Sequence, residues 1–253
     1  MTVQLMQGDC LVRMAEIPDG SVDMILADLP YGTTACKWDN VIPFEPLWQH
    51  YWRVLKPNGA VVLFGSEPFS SHLRMSQIKH YKYDWVWFKN RGSNFATVKY
   101  QPMKEHELVS IFGKGKTKYY PQMQARSENG QKMVKSAITF KGKLNTVYGN
   151  ANSKGGSKGH LDLTWRNPSS VQKFNCQVGH HPTQKPVALL EYLIRTYTLE
   201  SETVLDNTMG SGSTGVAAVN LKRKFIGIEQ DDKYFAIAQK RIADAQTPKE
   251  LWS

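Results

Sequence analysis

The feature that most constrains the fold is the alternation of strand and helix patterns after residue 202. A strand pattern at 203–206 leads into a glycine-rich loop at 207–213 and a helical pattern at 214–221, and a second strand and helix follow at 224–229 and 232–245. Elements of these lengths predict a parallel sheet with helices on both faces. The unit is too short to be a complete doubly wound domain, so its partner strands must come from earlier in the chain and the order of the elements is permuted.

Earlier segments carry the signals for those partner strands. Residues 21–28, SVDMILAD, form an apolar run that predicts a buried strand ending at an aspartate. Further strands are predicted at 60–64, 83–88 and 107–112, and helices at 46–55, ending in a Lys-Pro-Asn-Gly turn, and at 187–197. The predicted fold class is α/β, a Rossmann-like, mostly parallel, doubly wound sheet with permuted motif order. Its two halves are residues 1–112 and 177–253, separated by an insert at 113–176.

The positive charge of the chain is concentrated in that insert. The chain has 32 Lys and Arg against 22 Asp and Glu, a formal net charge of +10, and residues 113–176 hold twelve of the basic residues against only Glu128 and Asp162. A neutral scaffold with one basic insert indicates a polyanionic partner, and double-stranded DNA is the expected one. A solvated loop that only keeps the protein soluble would have the same charge. Interleaved aromatic residues favour an insert that folds, at least on DNA: Tyr119, Tyr120, Phe140, Tyr148, Trp165 and Phe174.

The loop at 207–213 begins a nucleotide-binding pattern. Gly210, Gly212 and Gly215 match GxGxxG between a strand and a helix, where backbone amides can approach a nucleotide closely. Glu229 lies at the spacing of the carboxylate that accepts hydrogen bonds from ribose hydroxyls. Asp206, at the tip of the preceding strand, would repel a pyrophosphate and attract a cationic sulfonium, which favours S-adenosylmethionine over a dinucleotide. A tight turn without a ligand is the simpler alternative.

A tetrapeptide follows the strand at 21–28. Asp28-Leu29-Pro30-Tyr31 offers a carboxylate, a backbone carbonyl and an aromatic ring within four residues. Two acceptors could hold the hydrogens of an exocyclic base amine during attack on a methyl group, while the ring stacks on the extruded base. The alternative is a turn in which Pro30 and Gly32 set the geometry and Asp28 caps a backbone amide.

Taken together, these residues resemble the β class of amino-methylating DNA methyltransferases. DLPYG is similar to the DPPY motif of that class, and DNTMGSGSTG at 206–215 is similar to its S-adenosylmethionine loop. The order of the motifs also matches, with the tetrapeptide first, a variable target-recognition segment second and the cofactor loop last. Similar flanking pieces are GDC at 8–10, LKPNGAVVLF at 55–64 and HPTQKP at 181–186, so the resemblance covers nearly all of the chain except the insert.

The resemblance implies a role for each matching residue. In the Asp28–Tyr31 tetrapeptide, Asp28 and the carbonyl of Leu29 would hold the target amine. Tyr31 would stack on the base, and Pro30 lies between Leu29 and Tyr31. Of the implied cofactor-binding residues, Asp9 would lie near the adenine and Glu229 would contact the ribose. The others would surround the methionine part: Asp28, Thr183, Gln184, Lys185, Asp206, Gly210, Ser211, Gly212, Ser213 and Thr214. The reaction would be a direct methyl transfer to a flipped base, with S-adenosylhomocysteine as product and no metal.

The target base follows from the first letter of the tetrapeptide. An aspartate there is typical of adenine-N6 enzymes, whereas cytosine-N4 enzymes usually begin with serine, so adenine-N6 is favoured and cytosine-N4 is the alternative. Two residues depart from the family pattern: Leu29 replaces a proline, and Thr208 replaces a phenylalanine that would form a wall beside the cofactor. A nicotinamide-dependent oxidoreductase or a non-catalytic DNA-binding module are alternatives from other classes. Cytosine-C5 methylation is disfavoured because the chain has no Pro-Cys pair.

Cysteine usage and hydropathy indicate the setting in which the protein works. Cys10, Cys36 and Cys176 form no CxxC pair, and Cys176 with His180 and His181 lacks a fourth ligand for a metal. No apolar run approaches the ~20 residues of a membrane span, and the N-terminus lacks the apolar stretch of a signal peptide. We expect a cytoplasmic protein without a membrane partner, encoded by a bacterium or by a phage or plasmid in one. The resemblance places it with restriction-modification enzymes, and a homodimer is compatible with the sequence.

Overall fold

The computed structural model describes residues 2–32, 40–139, 162–177, 179 and 184–247. The chain divides into two compact units, one formed by Met1–Tyr120 with Ser170–Ser253 and the other by Pro121–Ser169. Several residues named above lie outside the described part of the chain: Cys36, the middle of the predicted insert at 140–161, the two histidines at 180 and 181, and Thr183. None of the described helices is both long enough and apolar enough to cross a membrane.

Ten strands and seven helices are formed by the described residues. The strands are β1 (Val3–Gln7), β2 (Val22–Ala27), β3 (Leu55–Gly65), β4 (Tyr81–Ser93), β5 (Lys104–Phe112), β6 (Gln124–Ala125), β7 (Trp165–Arg166), β8 (Val171–Phe174), β9 (Thr203–Asp206) and β10 (Lys224–Glu229). The helices are α1 (Cys10–Met14), α2 (Phe44–Val54), α3 (Phe69–Ser76), α4 (Glu128–Thr139), α5 (Val187–Tyr197), α6 (Ser213–Asn220) and α7 (Asp232–Gln246).

Eight of the strands form one sheet in the order β1-β10-β9-β2-β3-β5-β4-β8. Neighbouring strands are parallel except at β5, which runs antiparallel to both β3 and β4. The predicted mostly parallel sheet is confirmed. So is the permuted order, because β9 and β10 of the C-terminal unit lie between β1 and β2 of the N-terminal half.

The sheet is covered on both faces, as the doubly wound prediction requires. One core joins inward side chains of the strands to α5, α6 and α7, with Leu193, Ala217 and Ile242 among its buried residues. The second core, on the other face, contains Met14 of α1 and Tyr51 of α2. The central strand β2 is buried along its whole length, which explains why its sequence is a continuous apolar run.

The predicted elements outside the insert are present, with shifts at some boundaries. The bounds of α5, β9 and β10 are those predicted from the sequence. The predicted turn at 56–59 is a bulge within β3, since Val22 pairs with Leu55 and Met24 pairs with Ala60. The prediction missed β1, α1 and α3, and also β8 within the insert.

The second compact unit is smaller than the predicted insert. It contains α4 and a two-stranded antiparallel sheet in which Gln124 pairs with Arg166 and Ala125 with Trp165. The predicted segment 113–176 also includes β8, which pairs in parallel with β4 at the edge of the large sheet. The division of the chain at residues 112 and 177 into two methyltransferase halves and a DNA-binding insert stays a prediction.

Candidate active site

The order in which the chain adds strands to the sheet reverses between two neighbouring strands, β9 and β2. After β9 the chain passes through α6 to β10 on one side, whereas after β2 it passes through α2 to β3 on the other. Ligands of open α/β sheets bind at such a switch point, beyond the carboxyl ends of the strands. A cavity of about 1000 Å³ opens there, and its wall includes Asp9, Asp28, Asp206 and Glu229, each at or just after the end of a strand.

The glycine loop forms one wall of this cavity and has the left-handed backbone that only glycine adopts without strain. Gly210 has φ +51° and Gly212 has φ +80°. A Cβ on Gly212 would lie 2.9 Å from Cβ of Ala238 in α7, so the loop also depends on a close approach to that helix. Ser213 begins α6 directly after it. Arg241 of α7 stabilises the loop by donating hydrogen bonds to the Ser211 carbonyl at 2.6 Å and to the Ser211 hydroxyl at 2.9 Å.

Two carboxylates flank the glycine loop. Glu229 accepts the Gly210 amide at 2.8 Å through Oε2 and the Asp231 amide at 2.8 Å through Oε1, and burial raises its pKa despite these bonds. Asp206 is 3% exposed, and burial raises its pKa to about 7, opposed by hydrogen bonds from Thr214 and from the Thr208 amide. Asp206 forms no salt bridge within the described part of the chain, and a positively charged ligand would supply the cationic partner.

The tetrapeptide lines the same cavity, directly after β2, the strand that neighbours β9 in the sheet. Both oxygens of Asp28 are engaged: Oδ1 accepts from the Tyr31 hydroxyl at 2.6 Å, and Oδ2 lies 2.5 Å from Lys185 Nζ. The main-chain carbonyl of Asp28 accepts from the Thr208 hydroxyl at 3.1 Å. That bond joins the tetrapeptide directly to the glycine-rich loop through Thr208, the residue that departs from the family pattern.

The other tetrapeptide residues divide between core and cavity. Leu29 is 3% exposed and its side chain packs in the second core, while its backbone lines the cavity together with Pro30. The Tyr31 ring stacks on Phe69 of α3, with centroids 4.9 Å apart and planes inclined by 30°. A leucine is therefore accommodated in place of the family's proline because this position contributes its side chain to the core.

Lys185 belongs to a row of alternating charges in which the two lysines are buried and the two carboxylates are partly buried. Its Nζ lies 2.5 Å from Asp28 Oδ2 and 3.3 Å from Glu107 Oε2, and Glu107 Oε1 accepts from Lys89 Nζ at 3.0 Å. Burial would lower the pKa of Lys185, but the charges of Asp28 and Glu107 outweigh it and raise that pKa above its ordinary value. Burial would likewise raise the pKa of Glu107, which the two lysines instead lower. The opposite charges of Lys185 and Glu107 thus stabilise each other inside the cavity wall.

The remaining predicted residues are distributed as follows. Asp9 caps α1, accepting the Leu11 amide at 2.8 Å, and also lines the cavity, as does Gln184. Thr183 lies outside the described residues. Sequence reasoning did not single out Arg241, Glu107 or Lys89, whose importance depends on which side chains pack together. The one available signal was the charge of Glu107 beside the apolar run of β5.

A comparison with known protein families identifies the family of this chain. Residues 22–240 match the family described as DNA methylase, whose members modify N6 or N4 amino groups. The chain belongs to this family. It is thus a DNA amino methyltransferase by family, and DNA is its substrate. The matched range includes the tetrapeptide, the charge row and the glycine loop, all of which line the cavity at the switch point.

Two curated relatives cover most of this methylase. It is 29% identical to the type II methyltransferase M2.LlaDCHI of Lactococcus lactis subsp. cremoris, over 96% of this chain and 90% of the relative. It is 28% identical to the type II methyltransferase M2.MboI of Moraxella bovis, over 93% and 85% of the two chains.

Solved structures share the fold. The M1.HpyAVI–SAM complex superposes with a TM-score of 0.65 at 24% identity, covering 95% of this chain and 99% of that one. The cytosine-N4-specific PvuII DNA methyltransferase superposes with a TM-score of 0.66 at 16% identity, covering 97% and 92%. At these identities the likeness concerns the fold alone, which is the mixed, mostly parallel sheet described above.

Proposed function

We propose that this methylase transfers a methyl group from S-adenosylmethionine to N6 of adenine in double-stranded DNA. The observation that carries the proposal is the shared cavity at the switch point, where Asp28 of the tetrapeptide and the glycine loop face the same space. An amine acceptor and a cofactor loop on one cavity are what a direct transfer between two bound molecules requires.

The chemistry of the cavity wall fits a cationic cofactor. Seven acidic and three basic residues line it, and the buried Asp206 has only neutral hydrogen-bond partners among the described residues, Thr208 and Thr214. The glycine loop leaves room at Gly210, where an added Cβ would meet no atom within 4 Å. S-adenosylmethionine, when bound, supplies a methyl group on a positively charged sulfur that leaves as a neutral thioether. Glu229 would accept from its ribose, and Asp206 would face its cationic methionine part.

The residues of the tetrapeptide would act on the target amine. Each carboxylate oxygen has two lone-pair sites, so Asp28 Oδ1 can accept an amine hydrogen while it retains the Tyr31 hydroxyl. The Leu29 carbonyl would accept the second hydrogen, which aligns the nitrogen lone pair with the methyl group. The proton that the amine loses as its nitrogen gains the methyl group passes to Asp28 and then to solvent. Tyr31 would stack on the flipped base.

Adenine rather than cytosine is proposed because of Asp28. The resemblance drawn from the sequence associates an aspartate at this position with adenine-N6 enzymes and a serine with cytosine-N4 enzymes. The test is incubation of the purified protein with mixed-sequence duplex DNA and S-adenosylmethionine, followed by nucleoside digestion and mass spectrometry. N6-methyladenine is the expected product. N4-methylcytosine would overturn the assignment of the base, and the absence of a methylated base on duplex or single-stranded DNA would overturn the activity.

The segment 113–176 is proposed to bind the DNA target. Support comes from its excess of ten positive charges and from its exposed basic and aromatic residues, among them Arg166 and Trp165. Lysine–phosphate contacts release counterions, so we expect DNA affinity to fall at least about tenfold between low and physiological salt. Fluorescence-anisotropy titrations over a salt series measure the slope. Binding that does not change with salt would exclude this role, and replacement of Lys132 and Lys135 by Gln should make the slope shallower.

A further inference from the structure

Glu107 occupies an unusual position in the methylase. It lies on β5, paired with Trp87 of β4, and the antiparallel strand β5 is separated from β2 by β3. Its side chain is 17% exposed, and its two oxygens contact two different lysines, Lys89 and Lys185. It therefore lies outside both motifs yet is only one side chain removed from Asp28.

The row Lys89–Glu107–Lys185–Asp28 is costly to bury. Lys89 and Lys185 are each 8% exposed, and every charge taken from water loses hydration that its neighbours must replace. Apolar side chains of similar size usually stabilise a fold at least as well as such a row, so stability alone does not account for it. The row lines the active-site cavity and ends on the carboxylate that would hold the amine.

Lys185 needs an anchor to hold Asp28 in one orientation. Its ammonium lies 5.2 Å from the centroid of the Phe64 ring and 6.0 Å from that of Tyr31, contacts that favour a cation without fixing its position. Lysine has a flexible stem and a charge without directional preference. Glu107 supplies a second anionic partner for Lys185, 3.3 Å from its Nζ, and Glu107 is held in turn by Lys89 at 3.0 Å.

We propose that Glu107 is a positioning residue for methyl transfer: it holds Lys185 Nζ on Oδ2 of Asp28, which fixes the rotation of that carboxylate and leaves Oδ1 for the target amine. The inference rests on the proposed function of Asp28. Without Glu107, Lys185 is free to shift across both oxygens of Asp28, and the amine acceptor loses its orientation. The effect falls on the transfer step, since the ion pairs of Glu107 among the described residues are with Lys89 and Lys185, which lie outside both the glycine loop and the segment 113–176.

The test compares Glu107→Gln with a matched control on the same strand, Glu105→Gln, whose residue is exposed. For E107Q we expect kcat to fall about 10- to 100-fold, because small misplacements of a reacting group carry that cost. The KM values for DNA and for S-adenosylmethionine should stay within about threefold, and E105Q within about twofold in every constant. An unchanged kcat in E107Q, or a loss confined to KM, would overturn the proposal.

Two further measurements keep the result interpretable. Lys89→Met leaves Glu107 in place and should lower kcat less than E107Q does, while the double variant should cost no more than E107Q alone, because Lys89 acts through Glu107. Additive losses would contradict this order. Crystal structures of the wild type and E107Q test the contact itself: we expect Lys185 Nζ to leave Asp28 Oδ2, and an intact contact would refute the inference. A wild type without methylation would refute the proposed function instead, and the structures would still decide the role of Glu107.

Discussion

The glycine loop and the tetrapeptide face the same cavity, but they are held in different ways. The glycine loop is supported by its own neighbours in the chain, Glu229 and Arg241, within the C-terminal unit. Asp28 is held by groups 157 and 180 positions away, Lys185 and Thr208. The glycine loop is therefore held by contacts within the C-terminal half, whereas the position of Asp28 depends on side chains from distant parts of the chain. Substitutions in the first should affect cofactor binding, and those in the second should affect turnover.

The strongest test of this division is Asp28→Ala. Removing the amine acceptor should lower kcat by about a hundredfold to ten-thousandfold, because the target nitrogen is no longer oriented or deprotonated. The dissociation constant for S-adenosylmethionine, measured by calorimetry, should change by less than about threefold. Asp244→Ala, at an exposed position of α7, is the matched control. Full activity in D28A would end the assignment of this residue, and a large loss of cofactor affinity would remove the distinction between the two regions.

A second test places the defect on the cofactor side. Gly212→Ala combines a left-handed φ of +80° with a Cβ 2.9 Å from Ala238, so the loop must shift and cofactor affinity should fall about a hundredfold. Gly210→Ala meets the strain at φ +51° without any clash and should lose only about tenfold. In both variants kcat at saturating cofactor should remain near that of the wild type. Equal losses in the two variants would show that packing against α7 is unimportant.

The pH dependence of cofactor binding gives a smaller effect. The pKa of Asp206 is about 7 in the free protein, and a cationic ligand favours the ionised form, so binding should release a proton. Affinity for S-adenosylmethionine should rise up to about tenfold from about pH 6 to about pH 8. Calorimetry in two buffers of different ionisation enthalpy measures the released proton. Asp206→Asn should abolish this component, and an unchanged proton release in D206N would assign it to another group.

The same pKa has the opposite effect on the stability of the free protein. A carboxyl group whose pKa is raised by folding stabilises the folded state below its ordinary pKa, and that contribution is lost as the pH rises through about 7. Thermal melts of the free protein should therefore show a Tm that falls as the pH rises from the ordinary pKa of an aspartate to about 7. The decline should be shallower in D206N, which has no proton to lose at this position.

The sequence was sufficient for the parts of the fold that depend on local patterns. The bounds of α5 and β9 were predicted to the residue, because apolar periodicity and turn residues lie within the elements themselves. It was not sufficient for β8, whose four residues have no alternating pattern and become a strand by pairing with β4. The same limit applies to Thr208, whose hydroxyl bond to the Asp28 carbonyl is visible only once the two loops are brought together.

The candidate site shows a similar division. The motifs predicted which segments line the cavity, since a family pattern preserves residue types at fixed spacing. They did not predict that Lys185 contacts Asp28 or that Glu107 stands behind it, because those contacts depend on packing across three strands. The role of Lys185 in cofactor binding stays a prediction beside this observed contact.

The pairing of β1 with β10 has a consequence for how the protein is made. Val3 lies opposite Phe225 in the sheet, so the first strand of the sheet must wait for nearly all of the chain before its partner exists. A ribosome completes the neighbouring pair β2 and β3 much earlier, within the first 65 residues. The cavity wall at the ends of β1, β9 and β10 is thus the last part of the sheet to form during vectorial synthesis.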